Sequence, residues 1–221
     1  MIIIDYLNAS DIEYFFADKP INRVSTKPEV ENKKILLENL KNKISMTQNC
    51  ELKNYADKLV FNDGDSDSAI MIVGEGPGQK EDIEGKPFVG DAGLLLNKML
   101  KSINIDRDKV YITNVVNYRP PNNRKPSLEE VKSCIPWLDK QIDFLDPKII
   151  VLAGSTAVES FLNIKQPISK IRGEWIEKDD IKVMPIFHPS YLLRNPSKQP
   201  GKPKWLTWQD LKKVKKVYDS F

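Results

Sequence analysis

The chain has 221 residues, 29% of them charged and 40% hydrophobic, which excludes a disordered polypeptide and suits one domain of ordinary size. Its net charge of +3 is a mild basic bias, too small by itself to announce a nucleic-acid binder. Two cysteines, Cys50 and Cys134, cannot make a disulfide framework, and no apolar run approaches the ~20 residues of a membrane span, so a cytoplasmic protein without a membrane partner is expected.

The start, Met1-Ile2-Ile3-Ile4-Asp5, lacks the basic flank and the length of a signal peptide. Residues 7–16 predict a short helix. Residues 28–44 predict another, with Ile35, Leu36, Leu37, Leu40 and Ile44 near helical spacing. Residues 1–45 carry no catalytic constellation and read as a helical extension of a single domain spanning 1–221. From Ala69 the rhythm changes. The run Ala69-Ile70-Met71-Ile72-Val73 is short, continuous and apolar, and it ends in glycine, as buried parallel strands do.

A helix over 93–103 follows, then a strand over 110–114. Ser127-Leu128-Glu129-Glu130 fits a capping box that opens a helix running to about Leu145. A third strand covers 148–153 and a third helix 155–162. The runs 174–176 and 182–187 flank the polar turn Lys178-Asp179-Asp180, the second predicting a fourth strand. A final helix covers 205–218. This alternation predicts a three-layer α/β/α fold around a mainly parallel four-stranded sheet.

In open α/β sheets ligands bind beyond the carboxyl ends of the strands. Those ends carry Gly74-Glu75-Gly76-Pro77-Gly78, Asn114, Gly154-Ser155-Thr156 and His188-Pro189-Ser190. The glycine loop is not a dinucleotide fingerprint, because Gln79 occupies the third glycine position and Pro77 intrudes; it also lacks the G-K-[ST] ending of a P-loop. Phe88, between Pro87 and Gly90, reads either as a stacking platform or as core.

Taken together, the motifs resemble those of family 4 uracil-DNA glycosylases. The first signature is Gly74-Glu75-Gly76-Pro77-Gly78-Gln79-Lys80-Glu81-Asp82, then Gly85-Lys86-Pro87-Phe88-Val89-Gly90 and Ala92-Gly93-Leu94-Leu95. The middle segment comprises Ile112-Thr113-Asn114-Val115-Val116 and Arg119-Pro120-Pro121-Asn122-Asn123-Arg124-Lys125-Pro126. The last signature is His188-Pro189-Ser190-Tyr191-Leu192-Leu193-Arg194. The match covers roughly residues 47–211.

The resemblance implies an enzyme that flips uracil out of DNA and hydrolyses its glycosidic bond. It implies Phe88 as the stacking surface, Asn114 as the reader of the uracil edge, Gly76 in the base pocket, and His188 as donor to uracil O2. Glu75 and Glu81 become the candidates to activate water, with Asp82 as substitute, and one of them is a candidate to exclude the thymine methyl. Leu192 or Leu193 is the wedge into the base stack, and Arg194 a backbone contact. Ser190 belongs to the same DNA-contacting segment. Ser155 reads either as a phosphate contact or as a helix cap, while Lys125 and Arg124 track phosphates.

Members of this family carry a 4Fe–4S cluster on four cysteines. Here Cys50 and Cys134 match two ligand positions, whereas Thr47 and Tyr118 stand at the others. The expectation is that the cluster is lost, no metal is bound, and the region is held by packing around Tyr118. The expected partner is uracil-containing DNA, single- or double-stranded, and the expected state a monomer. The alternatives are a non-catalytic DNA-binding module, a nucleotide-dependent α/β enzyme, and a glycosylase for another deaminated base.

Overall fold

The computed structural model describes residues 32–48 and 50–221. The helix expected over 7–16 lies outside them. The first described element, α1 (Lys33–Met46), is capped by Asn32, whose side chain accepts from the Lys34 N–H at 3.1 Å. It buries Leu37, Leu40 and Ile44 in the main core, so this part of the expected extension belongs to the body of the domain.

Among the described residues, six strands form one sheet in the order β1-β3-β2-β4-β6-β5. They are β1 (Asp63–Gly64), β2 (Ile70–Gly74), β3 (Tyr111–Asn114), β4 (Ile149–Ala153), β5 (Ile176–Lys178) and β6 (Ile181–Ile186). The four central strands are parallel and are the four expected from the apolar runs. The expected four-stranded sheet is widened by β1 and β5, which pair antiparallel at the two edges. Both are too short to give a periodic signal, and β5 is the far arm of the hairpin whose turn residues Asp179 and Asp180 adopt positive φ.

The central strands are apolar throughout because both faces are covered. Met71, Val73, Ile150 and Leu152 face one core, with Leu138, Ile142 and Leu145 of α4 (Leu128–Leu145) and Val158 of α5 (Ser155–Leu162). Ile70, Ile72, Ile149 and Val151 face the other, with Leu96 and Leu100 of α3 (Asp91–Lys101) and Leu211 and Val214 of α8 (Pro203–Tyr218). This period-two alternation sets up the three layers. The short helices α2 (Gln79–Glu84), α6 (Ile168–Ile171) and α7 (Pro189–Arg194) complete the domain.

The capping box at α4 forms in full. Ser127 Oγ accepts from the Glu130 N–H at 3.2 Å, and Glu130 accepts from the Ser127 N–H at 2.6 Å. The same carboxylate takes both ends of the Arg124 guanidinium, at 2.8 and 2.6 Å, and so ties the proline-rich loop to the helix. None of the described helices is long and apolar enough to cross a membrane.

Candidate active site

The chain leaves β2 toward β3 on one side, and β4 lies on the other side of β2. The carboxyl ends of β2 and β4 therefore flank the point where strand order reverses, the place where an open α/β sheet leaves a crevice. A cavity of about 390 Å³ opens there, lined by Glu75, Gly76, Glu81, Phe88, Asn114 and His188, and by Arg124, Ser190 and Arg194 nearer its mouth. It lies within the size range of small-ligand pockets. A larger cleft of about 510 Å³, lined by Asp139, Asp143, Asp146 and Lys178, collects none of these groups.

Glu75 leaves β2 directly over the crevice. Val116 donates its N–H to the Glu75 carbonyl at 3.2 Å, which extends the β2–β3 pairing past the strand end and fixes the backbone. The Glu75 carboxylate accepts from the Thr156 hydroxyl across the reversal point. Thr156 is buried, one residue beyond Ser155 in the first turn of α5. Its neighbour Ser155 is exposed and does not line the cavity.

Glu81 is built differently. One oxygen accepts from the Val89 and Gly90 N–H groups at 3.0 and 2.8 Å, and the other from the Gly78 N–H at 3.2 Å. The carboxylate is 9% exposed and staples the glycine loop to the segment after Phe88. Asp82 is likewise engaged, accepting from the Asp57 and Lys58 N–H groups at 2.9 and 3.1 Å and lying 3.9 Å from Arg119. Of the three carboxylates proposed from sequence, only Glu75 lines the cavity with no backbone donor on its oxygens.

Phe88 is both core and cavity wall. It is buried, belongs to the α3-side core and lines the pocket. Its φ of 51° is left-handed, a conformation that costs a non-glycine residue ~1–2 kcal/mol. Arg107 holds it there, donating to the carbonyls of Phe88 at 3.0 Å and Pro87 at 2.6 Å, while Asp63 and Asn97 fix the guanidinium. A Cβ on Gly74 would sit 2.5 Å from the Phe88 ring and 2.4 Å from Asn114 Oδ1, so only glycine lets the strand end pass under both groups.

Asn114 is 2% exposed, and its Nδ2 is buried with no hydrogen-bond partner among the described residues. An orphaned buried amide is costly, and one in a cavity wall is a donor waiting for a ligand acceptor.

His188 stands opposite Phe88, ring centroids 5.7 Å apart. Its Nδ1 accepts from the Ser190 N–H at 3.2 Å and lies 2.8 Å from the Ser190 hydroxyl. An Nδ1 that accepts leaves the proton on Nε2, so the neutral ring has an N–H to donate. Burial lowers the His188 pKa below its usual 6.5; Glu75 opposes this by raising it, and Arg194 adds to the lowering. His188 is the sole histidine, so its ring carbon protons report one unambiguous NMR titration. That titration is expected to fall below 6.5 and to move lower still in Glu75→Gln, which removes the counter-charge. A midpoint above 6.5 would contradict this reading of the site.

Of the two wedge candidates, Leu192 is 1% exposed and packs inward, whereas Leu193 is 41% exposed. Neither lines this cavity; α7 presents Ser190 and Arg194 to it instead. Lys125 is exposed, 4.0 Å from Glu159, and also lies outside the cavity lining. Arg107 and Thr156 escaped the sequence reading. Thr156 stood in a strand-end motif that the reading did single out, but Arg107 carried no local signal.

Around the cysteines, Cys50, Tyr118 and Cys134 are buried in one core cluster. Cys134 keeps its proton, first because of the neighbouring Cys50 thiol and then because it is buried. Thr47 N–H bonds the Ile44 carbonyl as a helix end. Two thiols, a phenol and a threonine do not fit a cluster that needs four thiolates, and the described residues contain no group of three or more metal-ligating side chains.

Residues 61–212 match the model of the uracil DNA glycosylase superfamily. The chain is 41% identical over 184 residues to a type-4 uracil-DNA glycosylase of Thermotoga maritima, covering 81% of this chain and 93% of that one. It is 40% identical over 190 residues to the type-4 enzyme of Sulfurisphaera tokodaii, covering 82% and 84%. It is 37% identical over 193 residues to that of Saccharolobus solfataricus, covering 83% and 87%.

Proposed function

The chain belongs to the uracil-DNA glycosylase superfamily, and on that premise we propose that it removes uracil from DNA by hydrolysing the N-glycosidic bond of a flipped-out nucleotide. The observation that carries the site assignment is the orphaned Nδ2 of Asn114, a residue that lines one cavity with an aromatic ring and an imidazole.

Uracil presents an O4 acceptor beside an N3–H donor. Asn114 meets them with Nδ2 and Oδ1, while cytosine presents the opposite pair. Phe88 stacks on the base, with Gly76 at the pocket wall. As the C1′–N1 bond breaks, its electron pair moves onto the base and charge builds at O2, where His188 Nε2–H donates. Glu75 takes a proton from the water that adds to C1′, and that proton passes on to the departing uracil anion, leaving an abasic site, free uracil and the carboxylate restored. Thr156 holds the Glu75 carboxylate in place. Glu81 shapes the pocket through the backbone rather than touching the water.

DNA lies along the mouth of the pocket, with Arg194, Ser190 and Leu193 of α7 on it and Lys125 and Ser155 at its margin. Leu193 is the wedge, supported by its exposure next to a buried Leu192. The enzyme acts as a monomer in the cytoplasm. Asn114→Ala is expected to lower kcat/KM for uracil excision at least ~100-fold, because it removes both edge contacts. An unchanged kcat/KM in that variant would remove Asn114 from base recognition.

This chain works without the iron–sulfur cluster that the resemblance to family 4 implies. Packing of Tyr118 against Cys50 and Cys134 fills the region that ligand positions would occupy. Protein purified without oxygen is expected to contain no stoichiometric iron or acid-labile sulfide; finding both would overturn this statement.

A further inference from the structure

A second cavity, of about 770 Å³, lies on the far side of α7 between α3 and α8. Its apolar lining includes Leu94, Leu193 and Trp208, which are 53%, 41% and 40% exposed. Large apolar side chains clustered on one surface usually mark a binding face. Lys98, Lys198 and Lys204 line the same groove, and the Lys212 ammonium lies 3.9 Å from the Trp208 ring centre. The one acidic residue in the lining, Asp91, is paired with Lys80 at 3.3 Å.

The groove is therefore a cationic surface that carries an exposed indole. A phosphate backbone with unstacked bases fits it: ammonium groups neutralise phosphates, and aromatic faces stack bases without regard to sequence. A protein partner would not by itself call for this surplus of lysines. The groove also adjoins the pocket. One edge of α7 presents Ser190 and Arg194 to the uracil cavity and the other presents Leu193 to the groove, with the buried Leu192 at its base. The two lie on opposite edges of one short helix, a width of about 10–12 Å, so a strand leaving the pocket reaches the groove within a few nucleotides. The groove wall is anchored: Asp210 of α8 is fully buried and pairs with Arg172 at 2.7 Å.

We propose that this α3–α7–α8 groove binds the DNA strand flanking the flipped uracil, with a base stacked on Trp208 and phosphates on Lys98, Lys198 and Lys204. The proposal rests on the glycosylase reading of the adjoining pocket.

The test measures binding of an uncleavable fluorinated deoxyuridine, placed either in a long single strand or in a trinucleotide. Trp208→Ala is expected to weaken affinity for the long strand about 5-fold or more and to leave the trinucleotide unchanged. The triple variant Lys98→Gln, Lys198→Gln, Lys204→Gln is expected to flatten the plot of log affinity against log salt for the long strand by about 2. Sedimentation and circular dichroism check state and fold. Unchanged affinity and salt slope in both folded variants would overturn the proposal. So would loss of self-association without loss of DNA affinity, which would assign the groove to a second copy. Uracil excision by the wild type is read separately. Excision with no groove effect sinks the groove alone; a groove effect without excision sinks the glycosylase reading and leaves a strand-binding surface.

Discussion

His188→Ala is expected to lower kcat for uracil excision about 100- to 1000-fold while leaving KM within a few-fold, the loss typical of one donor removed from a developing oxyanion. The Ser190 N–H occupies Nδ1, which places the proton on Nε2. Gly154, at φ 95°, lets the end of β4 pass beneath the ring, where a Cβ would stand 3.0 Å from that of His188. In the role proposed for it the imidazole, already held in place by the fold, contributes mainly in the transition state, so the effect belongs in kcat. Its neutral state is maintained by burial, and that burial matters because a protonated ring would forfeit the bond from the Ser190 N–H. A variant with a raised KM and an unaltered kcat would make His188 a binding residue only.

The second large effect separates two glutamates that the sequence could not. Glu75→Gln is expected to cut kcat about 100-fold or more, the scale of a lost general base, with little change in Tm. The amide still accepts from Thr156, so the fold is kept and the proton acceptor is lost. Glu81→Gln is expected to do the opposite. Its carboxylate receives three backbone N–H groups, and a glutamine must turn its NH₂ toward at least one of them. Losing charge-assisted bonds worth roughly 1.5–3 kcal/mol each lowers Tm by several degrees in a domain of this size and loosens the Phe88 loop. Paired measurements of kcat and Tm on the two variants decide the assignment: an unstable Glu75→Gln with full kcat, beside a stable and inactive Glu81→Gln, would reverse it.

What was legible in the chain was what local pattern encodes. The four parallel strands announced themselves because both of their faces are buried, which leaves unbroken apolar runs such as Ile70-Met71-Ile72-Val73 and Ile149-Ile150-Val151-Leu152. The Ser127 capping box was readable because both halves lie within one turn. Strand-end logic then gathered Glu75, Gly76, Asn114 and His188 at one cavity. The edge strands β1 and β5 were not legible, since two and three residues carry no periodicity. Neither were the roles of Glu81 and Arg107. Glu81 bonds backbone eight and nine residues away, and Arg107 reaches back to Pro87 and Phe88, contacts that only the folded chain creates. Leu192 and Leu193 are equivalent as letters; the way α7 packs on the domain buries one and exposes the other.

Uracil excision is decided by incubating the wild-type protein with matched oligonucleotides that carry uracil, cytosine or thymine at one position, then cleaving abasic sites with alkali. Scission at uracil alone, with free uracil released in equal amount, is the predicted result. No scission at uracil by folded protein, or equal scission at cytosine, would contradict the account of the Asn114 pocket and its chemistry.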